Sequence, residues 1–318
     1  MIQIENLHKH YGSIRALDGL NMTVEAGTIY GFLGPNGSGK TTTLRILTGL
    51  ARGTPRPEAR GGASCRVIVA GVDVNADGRT LSRRIGYVPE EPTFYPWMTP
   101  REFLDYLGRL HGLSASERAK QTRELLELVH LAEAGKRRIG GFSRGMRQRL
   151  GLAAALVHNP DVLLLDEPVS ALDPAGRKEI LETIEDLRGL CTVLMSSHIL
   201  ADVERVCSVV GIIAKGRMIV QSPREALMER YAQPVFEAET ADAASARRWA
   251  DTLKIQPWTA SVSVDRDVVR VTVKDIARAR KELLASAVAQ EVLLHRYEET
   301  RPSLEDVFLQ LVDKEAAQ

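Results

Sequence analysis

The apolar run Thr28-Ile29-Tyr30-Gly31-Phe32-Leu33 breaks into Gly34-Pro35-Asn36-Gly37-Ser38-Gly39-Lys40-Thr41-Thr42 and resumes as a helical pattern at Leu44, Leu47 and Leu50. This is G-x-x-x-x-G-K-[ST] between a strand and a helix, the context that a phosphate-binding loop requires. The glycines let backbone N–H groups turn inward as an anion cradle, and the helix start adds its positive dipole end. Lys40 supplies a point charge to the β and γ phosphates, and Thr41 places a hydroxyl on magnesium. A chance match to the four fixed positions is expected in only about one chain in a hundred of this length. The flanking strand and helix make a plain Gly-rich turn rarer still.

Such a loop needs a second strand tipped with carboxylates, and Asp161-Val162-Leu163-Leu164-Leu165-Asp166-Glu167-Pro168 supplies it. The unbroken apolar run reads as a strand covered on both faces of a parallel sheet. Two adjacent carboxylates at its end have no packing reason to be there. Asp166 is suited to hold the magnesium shell, and Glu167 to polarise or deprotonate an attacking water. A third apolar run, Cys191-Thr192-Val193-Leu194-Met195-Ser196-Ser197, ends in His198. Open α/β sheets place ligands at strand C-termini, where His198 could reach the γ phosphate or the water. The catalytic candidates are therefore Glu167, His198 and Lys40.

Composition narrows the field. With 42 Lys+Arg against 41 Asp+Glu the chain has no overall basic footprint for nucleic acid. No apolar run approaches the roughly 20 residues of a bilayer span, so this chain is not itself expected to form a pore. Met1 to Glu5 alternates like a strand and lacks the basic end and apolar block of a signal peptide. Cys65, Cys191 and Cys207 are an odd count without a C-x-x-C pair, which points to a reducing cytoplasm and not to a disulfide framework or zinc site. A length of 318 residues suggests two domains.

These residues together resemble the ATP-binding cassette (ABC) ATPases that power transporters. Tyr11 stands where that family stacks an aromatic ring on adenine. Gly34, Pro35, Asn36, Gly37, Ser38, Gly39, Lys40, Thr41 and Thr42 match its Walker A loop. Phe142-Ser143-Arg144-Gly145-Met146, followed by Arg147-Gln148-Arg149, resembles the signature. Leu163 to Glu167 matches Walker B, Ser170-Ala171-Leu172-Asp173 the D-loop and His198 the switch histidine.

The resemblance implies an α/β P-loop cassette over residues 1–222. That cassette would carry an antiparallel β subdomain and a helical subdomain at about 93–158, and would use ATP and Mg2+. It further implies that two copies sandwich two ATP molecules, with Ser143 and Gly145 touching the γ phosphate in trans and Asp173 nearby. The partners implied are that second copy and an integral membrane permease, with the chain peripheral on the cytoplasmic face and no nucleic acid. Three departures stand out. Glu90 replaces the family's Gln; a carboxylate can still ligate magnesium or its waters but adds charge. In the signature, Arg144 replaces Gly and Met146 replaces Gln. Residues 51–64, rich in Arg, Pro and Gly, read as a lengthened loop of no assigned function.

Thr99-Pro100-Arg101-Glu102 is a helix start with N-cap, N1 proline and reciprocal Glu, and a second helix is read at Ser116–Val129. Only 52 residues separate Glu90 from Ser143, too few for the coiled-coil insertion of DNA-repair relatives. The cluster Lys136-Arg137-Arg138 reads as a solvated face.

The C-terminal part, 223–318, is entered through a capping box at Ser222-Pro223-Arg224-Glu225. It continues as strand 235–240, helix 242–254, strands 259–264 and 268–273, helix 276–289 and strand 291–297. That order, β-α-β-β-α-β, is the small α+β ferredoxin-like arrangement. A last helix, Ser303 to Leu311, puts Leu304, Val307, Phe308 and Leu311 on one face. This part resembles the accessory extension of ATPases that serve two-component, ABC-2-type exporters, where it would regulate or support the dimer. The alternative reading is a soluble ABC ATPase acting on the ribosome or nucleic acid, which would call for two cassettes or a coiled-coil insertion.

Overall fold

The structure, a computed structural model, describes residues 1–54, 65–170, 172–231, 234–300, 303–308 and 311. The 51–64 loop and Ala171 of the D-loop therefore lie wholly or largely outside the described residues. By internal contacts the chain divides into two compact units, Met1–Arg224 and Glu225–Gln318.

The first unit begins with the antiparallel pair β1 (Ile2–Tyr11) and β2 (Ile14–Val24), followed by β3 (Ile29–Leu33) and helix α1 (Lys40–Leu47). Next come β4 (Arg66–Val69), β5 (Val72–Asp73), α2 (Gly78–Arg84) and β6 (Ile85–Val88). Three longer helices follow: α3 (Pro100–Leu110), α4 (Ala115–Leu128) and α5 (Arg144–Leu156). The chain then alternates through β7 (Val162–Asp166), α6 (Pro174–Asp186), β8 (Thr192–Ser197), α7 (Leu200–Val206), β9 (Val209–Ala214) and β10 (Arg217–Pro223), and α8 (Arg224–Tyr231) starts at the unit boundary.

Two sheets result. One is antiparallel in the order β2-β1-β4-β5; the other runs β10-β9-β3-β8-β7-β6, parallel from β9 to β6 with β10 antiparallel at its edge. Every residue of β3, β7 and β8 is buried, which is why those strands read as continuous apolar runs without alternation. Ile2, Leu7, Leu17 and Leu20 of the antiparallel sheet share a core with Tyr30, Phe32, Leu164 and Leu194 of the parallel one. At an interior position such as Leu164, truncation to Ala costs on the order of 2–5 kcal/mol.

Helix starts follow the local chemistry. Thr99 caps α3 through a complete capping box with Glu102. The second helix begins one residue earlier than the Ser116 expected, because Ser114 and Glu117 form another complete capping box. Ser222 is not a helix cap: it is a strand residue of β10 paired with Val210. The Arg224 N–H at the start of α8 goes instead to Ser208 O at 2.9 Å.

The second unit contains β11 (Val235–Thr240), α9 (Ala243–Lys254), β12 (Thr259–Asp265), β13 (Val268–Val273), α10 (Ile276–Ala289) and β14 (Leu294–Thr300). The strands lie in the order β12-β13-β11-β14 with all neighbours antiparallel, which is the ferredoxin-like topology. Asp242 and Asp275 cap the two helices. Trp249 and Trp258 fill the core, and each indole N–H finds an acceptor, Ser286 Oγ at 2.8 Å and Glu282 Oε2 at 2.7 Å. The last strand starts three residues later than the 291 expected. Glu291 takes a left-handed φ of 55°, and the Val292 N–H bonds back to Ala287 O, so 291–293 close α10 before the strand can begin. Residues 304–308 are helical, with Leu304 and Val307 fully buried. Asp306 ties this turn to the sheet by accepting from Arg270 Nη2 at 2.8 Å.

Between α3 and α5, the rings of His111 and His158 stack with centroids 3.9 Å apart. Burial, then the neighbouring His111, push His158 down to about 4, against a bond to Ile85 O that favours its charged form. Its folded-state value lies below the unfolded 6.5, so the unfolded chain binds more protons between these limits. Stability from this site is intact above about pH 6.5, falls as pH drops towards 4 and levels off below. We expect His158→Gln to flatten the slope of Tm against pH across that window, measured by circular dichroism beside the parent protein.

Candidate functional site

The phosphate-binding loop joins the C-terminal end of β3 to the first turn of α1. Gly37 and Gly39 have φ of 79° and 109°, a region that a side chain rarely tolerates. A Cβ at Gly34 would overlap the carbonyl oxygen of Ile213 and the Ser38 hydroxyl. The loop thus curls tightly around the start of α1, whose first amides have no intrahelical acceptor. Within it the buried Lys40 ammonium donates to Gly34 O at 2.8 Å and Pro35 O at 3.3 Å. The Ser38 hydroxyl is buried without a partner among the described residues. An ammonium, orphaned donors and a helix N-terminus turned on one spot are the chemistry of an anion site, and they fit a phosphate.

The tip of β7 lies alongside. Asp166 is 2 % exposed; its Oδ1 accepts from Ser196 Oγ at 2.8 Å and Thr41 Oγ1 at 3.1 Å. Burial raises its pKa, the bonds from Ser196 and Thr41 oppose the rise, and the charges of Glu167 and Glu90 add to it. A divalent cation on Asp166 and Thr41 would relieve that unfavourable field. Magnesium is commonly held this way, by one or two carboxylates plus substrate phosphates and water. Among the described residues no cluster of three or more His, Cys, Asp or Glu side chains could hold a metal unaided. Glu90 lines the cleft and accepts from Ser170 Oγ at 3.5 Å.

Glu167 departs sharply from the strand path. Its φ is 48°, a left-handed conformation that costs a non-glycine residue roughly 1–3 kcal/mol and concentrates at functional sites. The turn separates its carboxylate from that of Asp166. The Ser196 hydroxyl receives the Glu167 N–H at 3.0 Å. The carboxylate is gripped by Lys40 Nζ at 3.3 Å on Oε1 and by His198 Nδ1 at 2.7 Å on Oε2, with the His198 amide at 3.4 Å. Since a carboxylate can only accept, Nδ1 carries the proton and Nε2 is the nitrogen that faces other chemistry.

A cleft of about 490 Å3 gathers Tyr11, Asn36, Gly37, Gly39, Lys40, Thr41, Thr42, Glu90, Glu167 and His198. Gly34 and Pro35 lie behind it as acceptors for Lys40, and Asp166 lies beneath Thr41. The half-exposed Tyr11 has the Lys9 ammonium 4.8 Å over its ring. Ser143, Gly145 and Asp173 are not in this cleft. Ser143 caps α5 by accepting from Met146 N at 3.2 Å; the exposed Asp173 is the N-cap position of α6 and makes no side-chain cap bond. Arg144 pairs with Glu91 at 3.4 Å.

Two contributions were not foreseen. Ile14, Arg15 and Ala16 line the cleft because the β1–β2 hairpin brings them beside Tyr11, and no residue type announces that. Ser196 locks both carboxylate residues in place, a role for which the only signal was its position at the end of an apolar run.

Residues 17–170 match the family described as ABC transporter, and residues 223–312 match the family described as ATP-binding protein DrrA1-3-like, C-terminal domain. The chain is 37% identical over 313 residues to the uncharacterized ABC transporter ATP-binding protein YxlF of Bacillus subtilis, covering 98% of this chain and 99% of that protein. It is 35% identical over 315 residues to the daunorubicin resistance ATP-binding protein DrrA2 of Streptomyces coeruleorubidus, covering 98% and 94%. Among solved structures it is similar to the dimeric post-hydrolysis state of the ATP-binding cassette MJ0796 bound to ADP and Pi, with 25% identity and a TM-score of 0.61 over 70% of this chain and 98% of that one.

Removing the ammonium tests the anion site directly. Lys40→Ala is expected to weaken affinity for the magnesium–nucleotide complex by about ten- to a hundredfold, since a charge-assisted hydrogen bond is worth about 1.5–3 kcal/mol. Titration with a fluorescent ATP analogue measures this; unchanged affinity would reject the assignment.

Proposed function

The chain belongs to the ABC transporter ATP-binding proteins, an ATPase subunit that uses ATP and magnesium to power a separate membrane permease, and from that premise we propose that it drives an exporter. The observation that carries the mechanistic reading is the Lys40–Glu167–His198 cluster set against Thr41 and Asp166 in one cleft. The full-length similarity to a daunorubicin resistance ATP-binding protein, together with the match of residues 223–312, supports the direction of transport.

In this reading the P-loop amides, Ser38 and Lys40 hold the phosphates, and Tyr11 stacks on the base. Thr41 and Asp166 would hold magnesium, with Glu90 as a further carboxylate at the cleft wall; the ion would supply charge neutralisation on the phosphates. Glu167 orients the attacking water and takes its proton. A phosphate that draws on Lys40 loosens one of the grips on Glu167, freeing Oε1 for that task. His198 keeps the other carboxylate oxygen aligned and turns Nε2 towards the γ phosphate. A base so placed contributes about 10²–10⁴ in rate.

Ser143, Gly145 and Asp173 act in trans. They lie on the chain's own surface away from its cleft, at the starts of α5 and α6, so a second copy is the natural recipient of Ser143 and of the helix start behind it. Among the described residues no helix is long and apolar enough to cross a membrane. We assign the pathway to an integral membrane partner on whose cytoplasmic face this chain sits, and the ferredoxin-like unit to support of the dimer.

Glu167→Gln is expected to keep ATP binding, accumulate an ATP-bound dimer on size-exclusion chromatography and reduce phosphate release at least about a hundredfold. Normal turnover would dismiss the role. For the transport reading, tagged protein purified from detergent-solubilised membranes should carry a multi-span polypeptide, identified by mass spectrometry. Ribosomal or DNA partners in its place would overturn it.

A further inference from the structure

Asp202 is 1 % exposed, yet no motif claims it. It lies in the first turn of α7, four residues after His198. Its Oδ1 accepts from Arg177 Nε at 2.5 Å, while Oδ2 is buried without a partner among the described residues. Arg177 belongs to α6, and its own N–H bonds to the carbonyl of Asp173, the residue that starts that helix, at 3.0 Å. One arginine therefore links the start of α6, through its backbone, to the first turn of α7, through its side chain.

A buried ion pair is weak evidence for stability, because desolvation offsets most of the attraction; fixing one arrangement of packed parts is the better-attested use. The surroundings suit that use. Beneath α7, Gly31 of β3 has no Cβ, and one added there would overlap Val203, so α7 lies directly on the sheet. That contact fixes its height and leaves sliding across the sheet to be stopped from the side, where α6 stands. Between β8 and α7, Ser197 Oγ accepts from the Ile199 N–H at 2.9 Å, holding the His198 corner to the end of the strand. Any shift of α7 thus moves His198 relative to Glu167.

We propose that Asp202, through Arg177, is a positioning residue for His198. It locks the segment that carries the switch histidine to the helix that begins at Asp173. The inference rests on the role given to His198 above. Because Asp173 faces outward towards the second copy in that reading, the pair also makes the placement of His198 responsive to the dimer contact.

The test uses the full-length protein. Asp202→Asn keeps the shape and removes the charge, and Arg177→Lys keeps the charge and removes the planar fork. Each is expected to lower kcat between about ten- and a hundredfold, the range for misplaced catalytic groups, with KM for ATP within twofold of the parent. Amide hydrogen exchange should rise in 196–203 and stay unchanged in 34–44. Where Asp202→Asn does not fold, Arg177→Lys decides by the same readouts. A kcat within twofold of the parent, or exchange raised equally in both segments with KM rising alongside, overturns the proposal. His198→Ala is measured in parallel: full turnover in that variant would instead refute the role of His198 itself.

Discussion

The Lys40 ammonium is the charge around which the first unit is arranged. A buried cation is costly unless paired and hydrogen-bonded, and this one is satisfied by the carbonyls of Gly34 and Pro35 and by Glu167. Those partners dictate much else. The carbonyls turn back only because Gly37 and Gly39 accept left-handed backbone. The carboxylate arrives only because β7 runs parallel to β8, itself beside β3, so that strand C-termini collect at one end of the sheet. The strained backbone at Glu167 is the local expense of bringing an acid to that ammonium.

The two units solve burial differently. In the first, a parallel sheet is covered on both faces, and its strands carry no alternation. In the second, an antiparallel sheet packs one face on α9 and α10, with Trp249 and Trp258 between the layers. The other face carries Glu237 and Arg270, which form an ion pair, and Arg270 in turn holds Asp306.

Chemistry that depends on a residue's neighbours in sequence was legible from the chain alone. Gly34 to Thr42, Asp166-Glu167 and His198 each sit at the end of an apolar run, and strand ends in an α/β sheet are where function collects. The tail topology was legible too, since strands 235–240 and 268–273 alternate strongly and an aspartate caps the helix after each. The misses share one cause, a competing local solution that pattern reading does not rank. Ser222 looked like a cap, but the β9–β10 ladder claimed its backbone. The start of β14 was hidden by a helix termination that uses Glu291 where glycine is the usual signal. Ser196 and Asp202 escaped notice because their importance lies in what they touch across the fold, and the distance along the chain from Arg177 to Asp202 carries no periodic signature.

The crowding of Glu167 and Glu90 around the buried Asp166 has a thermodynamic consequence. Where Thr41 meets Asp166 these carboxylates would repel a bare triphosphate, and a divalent cation would relieve that repulsion. Nucleotide and cation must then raise each other's affinity by the same factor, as linkage requires. Free magnesium would then raise the apparent ATP affinity, and chelation would lower it at constant nucleotide concentration. Glu90, whose charge also acts on Asp166, enlarges that mutual dependence by one more charge.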